Sequence, residues 1–352
     1  MATLYVTEPE ARVEKEYQRI IVTLEGEVIQ SVPLNSLTEI VIMGFAGATT
    51  QALLTLLDHG IGLTFLTRTG KIRGRLIPAG QSNLPLRLNQ YALQTSPEFL
   101  LALARQLILG KLNNYYVYGQ RIFRTIQTRK ANNKLYSPLP HQQTENNAAK
   151  QALVGLNLVL HQLQDAENLP ALLGMEGIGS KHYFTILKAH LNWKQDLGFL
   201  KRQRRPPKDL INALLSFGYT LLTNSMVSAL TIVGLDPEAG YLHANQRGRP
   251  SLALDLIEEF RPIIVDAIVA RMVNQRIITE RSLEEREDGQ LLLTRKALAS
   301  FFRQYHQRIN TEVIHPFFKK KLTYLKCFEA QAVILRKVIE REEQQYIPFT
   351  WR

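Results

Sequence analysis

The sequence predicts an α+β chain. A small β-rich N-terminal domain takes residues 1–85, and a larger all-α domain takes residues 86–352. Three observations predict this. Apolar and polar residues alternate, or β-branched residues run together, through "TLYVTE", "RIIVTLEGEVIQSVPL" and "LTEIVIMG", the pattern of strands with one buried face. Beyond Pro85 the texture changes to long stretches of helical periodicity. The charge divides near the same place: residues 1–90 carry 8 Lys+Arg and 8 Asp+Glu, so 35 basic and 23 acidic residues elsewhere supply the whole net charge of +12. The length suggests about two domains, at roughly 100–200 residues each.

Each element has its own signal. Glu25-Gly26 sits between two strand-like runs and suits a hairpin turn, and "TFLTRTGKIRGRLIPAG" repeats the pattern around Thr69-Gly70. One helix interrupts the strands, "TTQALLTLLDHG", with Thr49 or Thr50 as its cap and Gly60 as its stop. Ser96-Pro97 is an N-cap followed by proline at the first helical position. A basic-ended helix follows from there, and "SPLPHQQTENN" is a polar connection. Further helices are expected over 145–166, 169–192, 208–234, 250–275, 294–309 and 328–344. The charged stretch 281–293 suits a short hairpin or loop.

Composition narrows the function classes. The apolar content of 45% is ordinary for a folded protein with a sizeable core. A net charge of +12 points to a polyanion, nucleic acid first. A single cysteine, Cys327, excludes a disulfide framework and fits a reducing cytosol. The first residues have no apolar core of a signal peptide. No apolar run is expected to approach the ~20 residues that span a bilayer. A cytoplasmic protein without a membrane partner is the expectation.

Candidate chemistry concentrates in "GYLHANQRGRPSLALDLIEEFRP". It holds His243, Asp255, Glu258 and Glu259 together with Arg247, Arg249 and Arg261. Asp255 stands three residues before Glu258 and four before Glu259, spacings that share a helix face. Leu252, Leu256 and Phe260 form an apolar stripe beside it. A carboxylate near such a stripe needs a positive partner, which a metal ion, Arg249 or Arg261 would provide. The alternative is an ordinary solvated helix start, since acidic residues favour the positive end of the helix dipole. Pro262 kinks or restarts the helix. Glu176, in "LPALLGMEGIGSKHYF", is flanked by Gly174, Gly177 and Gly179. Glycines there imply a turn with a solvated Glu, or close approach of a backbone or ligand. Glu176, His243 and Glu258 together form a mixed nitrogen and oxygen set that suits Mn²⁺ or Mg²⁺.

Basic stretches are the third element. "KRQRRPPK" supplies Lys201, Arg202, Arg204 and Arg205, and "FFKKK" supplies Lys319 to Lys321. With Arg247 and Arg249, and with Tyr115, Tyr116 and Tyr118 nearby in sequence to other basic residues, they suit phosphate-backbone contact more than base readout. Each run is equally a solvated face.

These blocks resemble a known family. "LLGMEGIGSKHYF", "INALLSFGYTLL" and "GLDPEAGYLHANQRGRPSLALDLIEEFRP" are similar to the signature blocks of the CRISPR-associated adaptation integrase, and the N-terminal "LYVTEP" to "GIGLTFL" region is similar to its β domain. The resemblance covers essentially the whole chain. It implies a metal-dependent DNA endonuclease and integrase that joins the 3′-OH ends of captured fragments into a CRISPR array by transesterification. Metal ligands carried over by motif are Glu176, His243 and Glu258, with Mg²⁺ or Mn²⁺ as the ion. Asp255 is the carboxylate that the family keeps one turn earlier, and it joins the catalytic set. Some members have Asp where Glu258 stands. The resemblance also implies a homodimer joined through the β domains, a small partner protein of the adaptation module, and double-stranded DNA across the assembly. The alternative is a non-catalytic basic nucleic-acid scaffold, which leaves Glu176 among its glycines unexplained.

Overall fold

Strand alternation builds the N-terminal unit as expected. The structure is a computed structural model that describes residues 2–67, 72–78, 83–132, 140–191, 202, 209–285 and 291–351. Its first strands are β1 (Ala2–Val6), β2 (Arg12–Glu16), β3 (Arg19–Leu24), β4 (Glu27–Pro33), β5 (Leu37–Met43) and β6 (Gly47–Ala48). Helix α1 (Thr50–Asp58), β7 (Gly62–Leu66) and β8 (Ile72–Leu76) follow. They form two four-stranded sheets, ordered β1-β5-β7-β8 and β4-β3-β2-β6. Glu25 and Gly26 both take positive φ, 53° and 88°, in the β3–β4 turn, where glycine is the residue that pays no steric cost. Thr49 caps α1 by accepting from the Ala52 amide at 3.2 Å, and Gly60 at φ +69° ends it. Val6, Val13, Ile20, Ile40, Ile42, Leu56 and Leu63 share one core drawn from both sheets and α1. Each such side chain contributes roughly 1.5–3 kcal/mol on burial. The Thr69-Gly70 turn lies outside the described residues, though β7 and β8 on either side of it pair antiparallel.

The chain divides into two compact units. The first is Met1–Ser82 with Thr294–His306, and the second is Asn83–Leu293 with Gln307–Arg352. The sequence reading keeps 294–309 in the helical domain, whereas most of that helix belongs to the first unit, where Phe302 packs on Tyr5 with ring centroids 4.7 Å apart.

Helices dominate the second unit. They are α2 (Leu84–Leu93), α3 (Pro97–Asn132), α4 (Pro140–Gln162), α5 (Leu169–His190), α6 (Leu210–Ile232), α7 (Ser251–Ile257) and α8 (Ala267–Asn274). A π-helical turn, Pro262–Asp266, joins α7 to α8. Beyond them lie β9 (Leu283–Glu285), β10 (Leu291–Leu293), α9 (Arg295–Ile309), β11 (Glu312–Ile314), β12 (Lys321–Thr323) and α10 (Tyr324–Ile339). Helix α2 is absent from the sequence reading; its signal is Asn83, whose side chain accepts from Leu86 N just before Pro85. Helix α4 starts at Pro140, inside the stretch expected to be a connection.

The expectation of an all-α region needs correction. The expected hairpin in 281–293 is present as β9–β10, and β11–β12 is a second antiparallel pair. Val313 and Ile314 are β-branched and Pro316 bars a helix from continuing, so an extended pair is the local solution. The expected absence of any spanning-length apolar run also needs correction. Helix α6 is 23 residues long and apolar enough to cross a membrane by length and composition, but 83% of that window is buried in the protein, as in a core helix.

Candidate metal and phosphoryl-transfer site

Burial decides between the two readings of the α7 region. Asp255 and Glu259 have no exposed surface and Glu258 only 2%, so these are not residues of a solvated helix start. Leu252, Leu256, Ile257 and Phe260 are buried around them. Pro262 lacks an N–H, and the helix breaks ahead of it into the π-helical turn, a feature often found at functional sites.

Three carboxylates in this segment have three separate environments. Asp255 accepts the amides of Tyr241 at 2.7 Å, Leu242 at 3.0 Å and His243 at 2.9 Å, and it also takes the His243 ring Nδ1 at 2.7 Å. The loop is thereby wrapped onto α7. A carboxylate on Nδ1 fixes that nitrogen as the donor and leaves Nε2 with its lone pair free. Nε2 faces Glu258 Oε1 at 3.8 Å. Asp255 thus lies fully buried behind His243.

Glu258 carries the site's charge. Its Oε1 meets the Arg261 guanidinium at 2.7 Å, and its Oε2 lies 2.8 Å from the Lys111 ammonium. The Lys111 ammonium is thus the partner of the buried Oε2. Burial opposes ionisation of Glu258, but the Arg261 guanidinium and then the Lys111 ammonium outweigh it and bring the pKa down to about 2.

Glu259, the neighbour that sequence spacing leaves hard to separate from Glu258, points elsewhere. It accepts from Phe349 N at 2.7 Å, from the Tyr346 hydroxyl at 2.8 Å and from Gln331 Nε2 at 3.0 Å. Burial raises its pKa to about 8 despite these donors. It anchors the C-terminal segment. Asn114 holds the same segment, donating to Phe349 O and accepting from Trp351 N.

Glu176 comes from α5, an unbroken helix, so the turn reading of its glycines does not hold. Gly174 and Gly177 face open space, whereas a Cβ on Gly179 would stand 2.6 Å from Leu112 of α3. The close approach expected from the glycines is thus a helix–helix contact at one of the three. That contact brings Glu176 to Lys111, whose ammonium pairs with Glu176 and Glu258 together. Sequence reading missed Lys111. Its signal is that it is the one charged residue between Arg105 and Arg121. Arg261 is held over the Tyr219 ring at 4.8 Å, and Tyr219 in turn donates to Asp266 at 2.6 Å.

Other expectations fare differently. Tyr115 and Tyr118 are buried and Tyr115 stacks on Tyr183, so these two are core residues and not platforms for bases. Arg202 donates to Asn212 Oδ1 at 2.8 Å and to Ser216 Oγ at 3.1 Å. Arg247 is exposed and Arg249 half-buried, both on the His243 loop. Lys201, Arg204 and Arg205 lie outside the described residues. Lys319, Lys320 and Lys321 are exposed at the β11–β12 hairpin.

Among the described residues no three His, Cys, Asp or Glu side chains are already gathered as a metal-ligand cluster. The donors nevertheless fit a divalent ion. Glu176 and Glu258 converge on one cation, and His243 presents an oriented Nε2 to the same carboxylate.

Fold and site together define a protein with a strand-rich unit and a helical unit that buries a carboxylate–histidine centre. The family model for CRISPR associated protein Cas1 matches residues 4–307. The chain belongs to this family. It is 34% identical to a CRISPR-associated endonuclease Cas1 of Thermus thermophilus, over 100% of this chain and 98% of that one. It is 32% identical to one from Chlorobaculum tepidum, over 99% and 98%. Among solved structures, a CAS1 protein from Thermotoga maritima shares the fold with a TM-score of 0.74 at 22% identity, covering 99% of this chain and 100% of that one. A casposase bound to integration product shares it with a TM-score of 0.78 at 20% identity, covering 99% and 93%.

Proposed function

We propose that the chain is a metal-dependent DNA endonuclease and integrase of CRISPR adaptation. It acts in the cytoplasm on double-stranded DNA, as a homodimer joined through its β-rich domain and with a small partner of the adaptation module. One observation carries the reading: Glu176 and Glu258, 82 residues apart, converge on a single buried cation beside an oriented imidazole. The names of the curated relatives, CRISPR-associated endonucleases, support the activity. Solved Cas1–Cas2 complexes that share the fold support the partner, and a solved Cas1–DNA complex that shares it supports the substrate.

Glu176, His243 and Glu258 hold the ion, Mg²⁺ or Mn²⁺, since two carboxylates and one imidazole suit either. When bound, such an ion supplies Lewis acidity to a phosphoryl oxygen and to the departing 3′ oxygen. Asp255 holds His243 in the tautomer that leaves Nε2 free for that role. Arg261 keeps Glu258 ionised and fixed. Arg247 and Arg249, on the loop that carries His243, contact backbone phosphate. Arg202 is committed to Asn212 and Ser216, so any contact from Lys201, Arg204 and Arg205 is made without its guanidinium. In integration the 3′-hydroxyl of a captured fragment attacks phosphorus, one P–O bond forms as one breaks, and no outside energy is needed. In the endonuclease reaction water takes the place of that hydroxyl.

Duplex cutting in Mn²⁺ by wild type, Glu176→Gln and His243→Ala tests the reading, with DNA affinity measured beside it. Both variants are expected to lose at least about 10²-fold in rate, with DNA affinity retained. Loss of binding with the rate per bound DNA unchanged would remove these residues from the chemistry.

A further inference from the structure

The most unusual residue in the second unit is Lys111. Its ammonium is buried, with 3% of the residue exposed, in the stretch of helix α3 between Arg105 and Arg121 that holds no other charge. Burying an ammonium costs several kcal/mol unless it is paired. Its two partners are Glu176 and Glu258, the same carboxylates assigned above to the metal. Its only other described contact of note is the Tyr115 ring, 5.6 Å from Nζ.

Geometry sets the consequence. The ammonium stands 2.8 Å from Glu258 Oε2 and also contacts Glu176 Oε1. An ion such as Mg²⁺, held by both carboxylates, would take oxygen at about 2.0–2.1 Å. An ion there and an ammonium between the same oxygens would be like charges nearly in contact. The low dielectric of a buried site makes that arrangement costly. Glu258 keeps Arg261 on its other oxygen, so Lys111 can leave without stripping the carboxylate of all compensation.

We propose that Lys111 is the resident counter-cation of this site: it gathers Glu176 and Glu258 in the metal-free protein and is displaced when the divalent ion binds. Metal affinity is then the difference between coordination and the lost lysine pairs. The lysine makes the metal-free protein stable and keeps the site from capturing metal tightly. Helix α3 thereby sets the affinity of a site whose ligands all lie on other segments. This inference rests on the metal-site reading above.

Mn²⁺ titration of wild type and Lys111→Met, by calorimetry and by thermal unfolding, tests it. Lys111→Met is expected to bind Mn²⁺ roughly tenfold or more tightly than wild type, because the competing charge is gone. Metal-free Lys111→Met is expected to melt several degrees below wild type, with the gap closing on Mn²⁺ saturation. Mn²⁺ binding by wild type with equal or weaker binding by a folded Lys111→Met overturns this inference alone. No saturable Mn²⁺ binding by either protein overturns both it and the metal site. Should Lys111→Met not fold without metal, crystals of wild type with Mn²⁺ decide. Lys111 Nζ beyond ion-pair range, about 4 Å, of at least one carboxylate supports displacement. Retention of both pairs with Mn²⁺ on the same carboxylates overturns it.

Discussion

At the scale of the residue, the site is an arrangement of charges whose roles depend on what lies behind each. Asp255 shows this most clearly. Four donors converge on its buried carboxylate, three of them backbone amides of the loop that carries His243. Replacement by Asn would put an NH₂ group against amides that need an acceptor. Asp255→Asn is expected to lose about 1–3 kcal/mol of stability, read by thermal unfolding. It is also expected to weaken Mn²⁺ binding about 10–100-fold, the usual cost of losing a carboxylate behind a ligating histidine. Unchanged Mn²⁺ affinity in the folded variant would contradict the positioning role. The sequence makes the i, i+3 relation of Asp255 and Glu258 legible, because helical spacing is local. It does not separate Glu258 from Glu259, because their difference lies in partners that arrive from Lys111 on one side and from Phe349 and Tyr346 on the other. Lys111 itself is legible only as an isolated charge, since its pairing crosses 65 residues to Glu176.

Elements hold these residues by close approach of helices and of the C-terminal segment. Gly110 is one such tight point, because a Cβ there would lie 2.6 Å from Pro348 Cβ and 3.1 Å from Glu259 Cγ. A proline ring gives little, so Gly110→Ala is expected to destabilise by about 1–3 kcal/mol. Gly174→Ala is the contrasting case. It lies inside α5 with nothing near its would-be Cβ, and it is expected to stabilise by about 0.5–1 kcal/mol through helix propensity alone. Denaturant unfolding of the two variants gives opposite signs if the packing is as described. Most element boundaries follow from caps and breakers that the sequence displays: Thr49, Ser96 before Pro97, and Pro262. The β11–β12 pair and the early start of α4 were not legible. Short apolar runs do not distinguish strand from helix without their partners, and a polar stretch does not report a helix stabilised by packing on α5.

For the molecule as a whole, buried acids tie stability to pH. Asp266 lies under the hydroxyls of Tyr183 and Tyr219, both at 2.6 Å. Burial lifts its pKa from an ordinary 3.8 to about 6. Between those values the folded chain holds the Asp266 proton and the unfolded chain does not, so the Asp266 contribution to stability falls as pH rises from about 4 to about 6; Glu259, raised to about 8, extends the fall to about pH 8. Asp266→Asn is expected to reduce the slope of the stability curve between about pH 4 and 6 and leave the Glu259 fall up to about pH 8, measured by denaturant unfolding at fixed salt. The net charge of +12 gives a second whole-molecule expectation. Duplex affinity should fall linearly in log–log form with salt, because phosphate contacts release counterions. The two-part architecture and the charge division were legible from composition and periodicity, since both are averages over many residues. The transfer of Thr294–His306 to the first unit was not, because it depends on tertiary contacts such as Tyr5 with Phe302. The central claim is that Glu176, His243 and Glu258 carry phosphoryl transfer in which a DNA 3′-hydroxyl is the nucleophile. The most direct measurement is strand transfer from a short labelled duplex into a supercoiled plasmid carrying a CRISPR repeat, in Mn²⁺ and with the adaptation partner present. Wild type is compared with His243→Ala, and a normal 3′ end with a 3′-deoxy end. Joined product is expected only with wild type, metal and an intact 3′-hydroxyl. Joining by His243→Ala at the wild-type rate, or by the 3′-deoxy fragment, would contradict it.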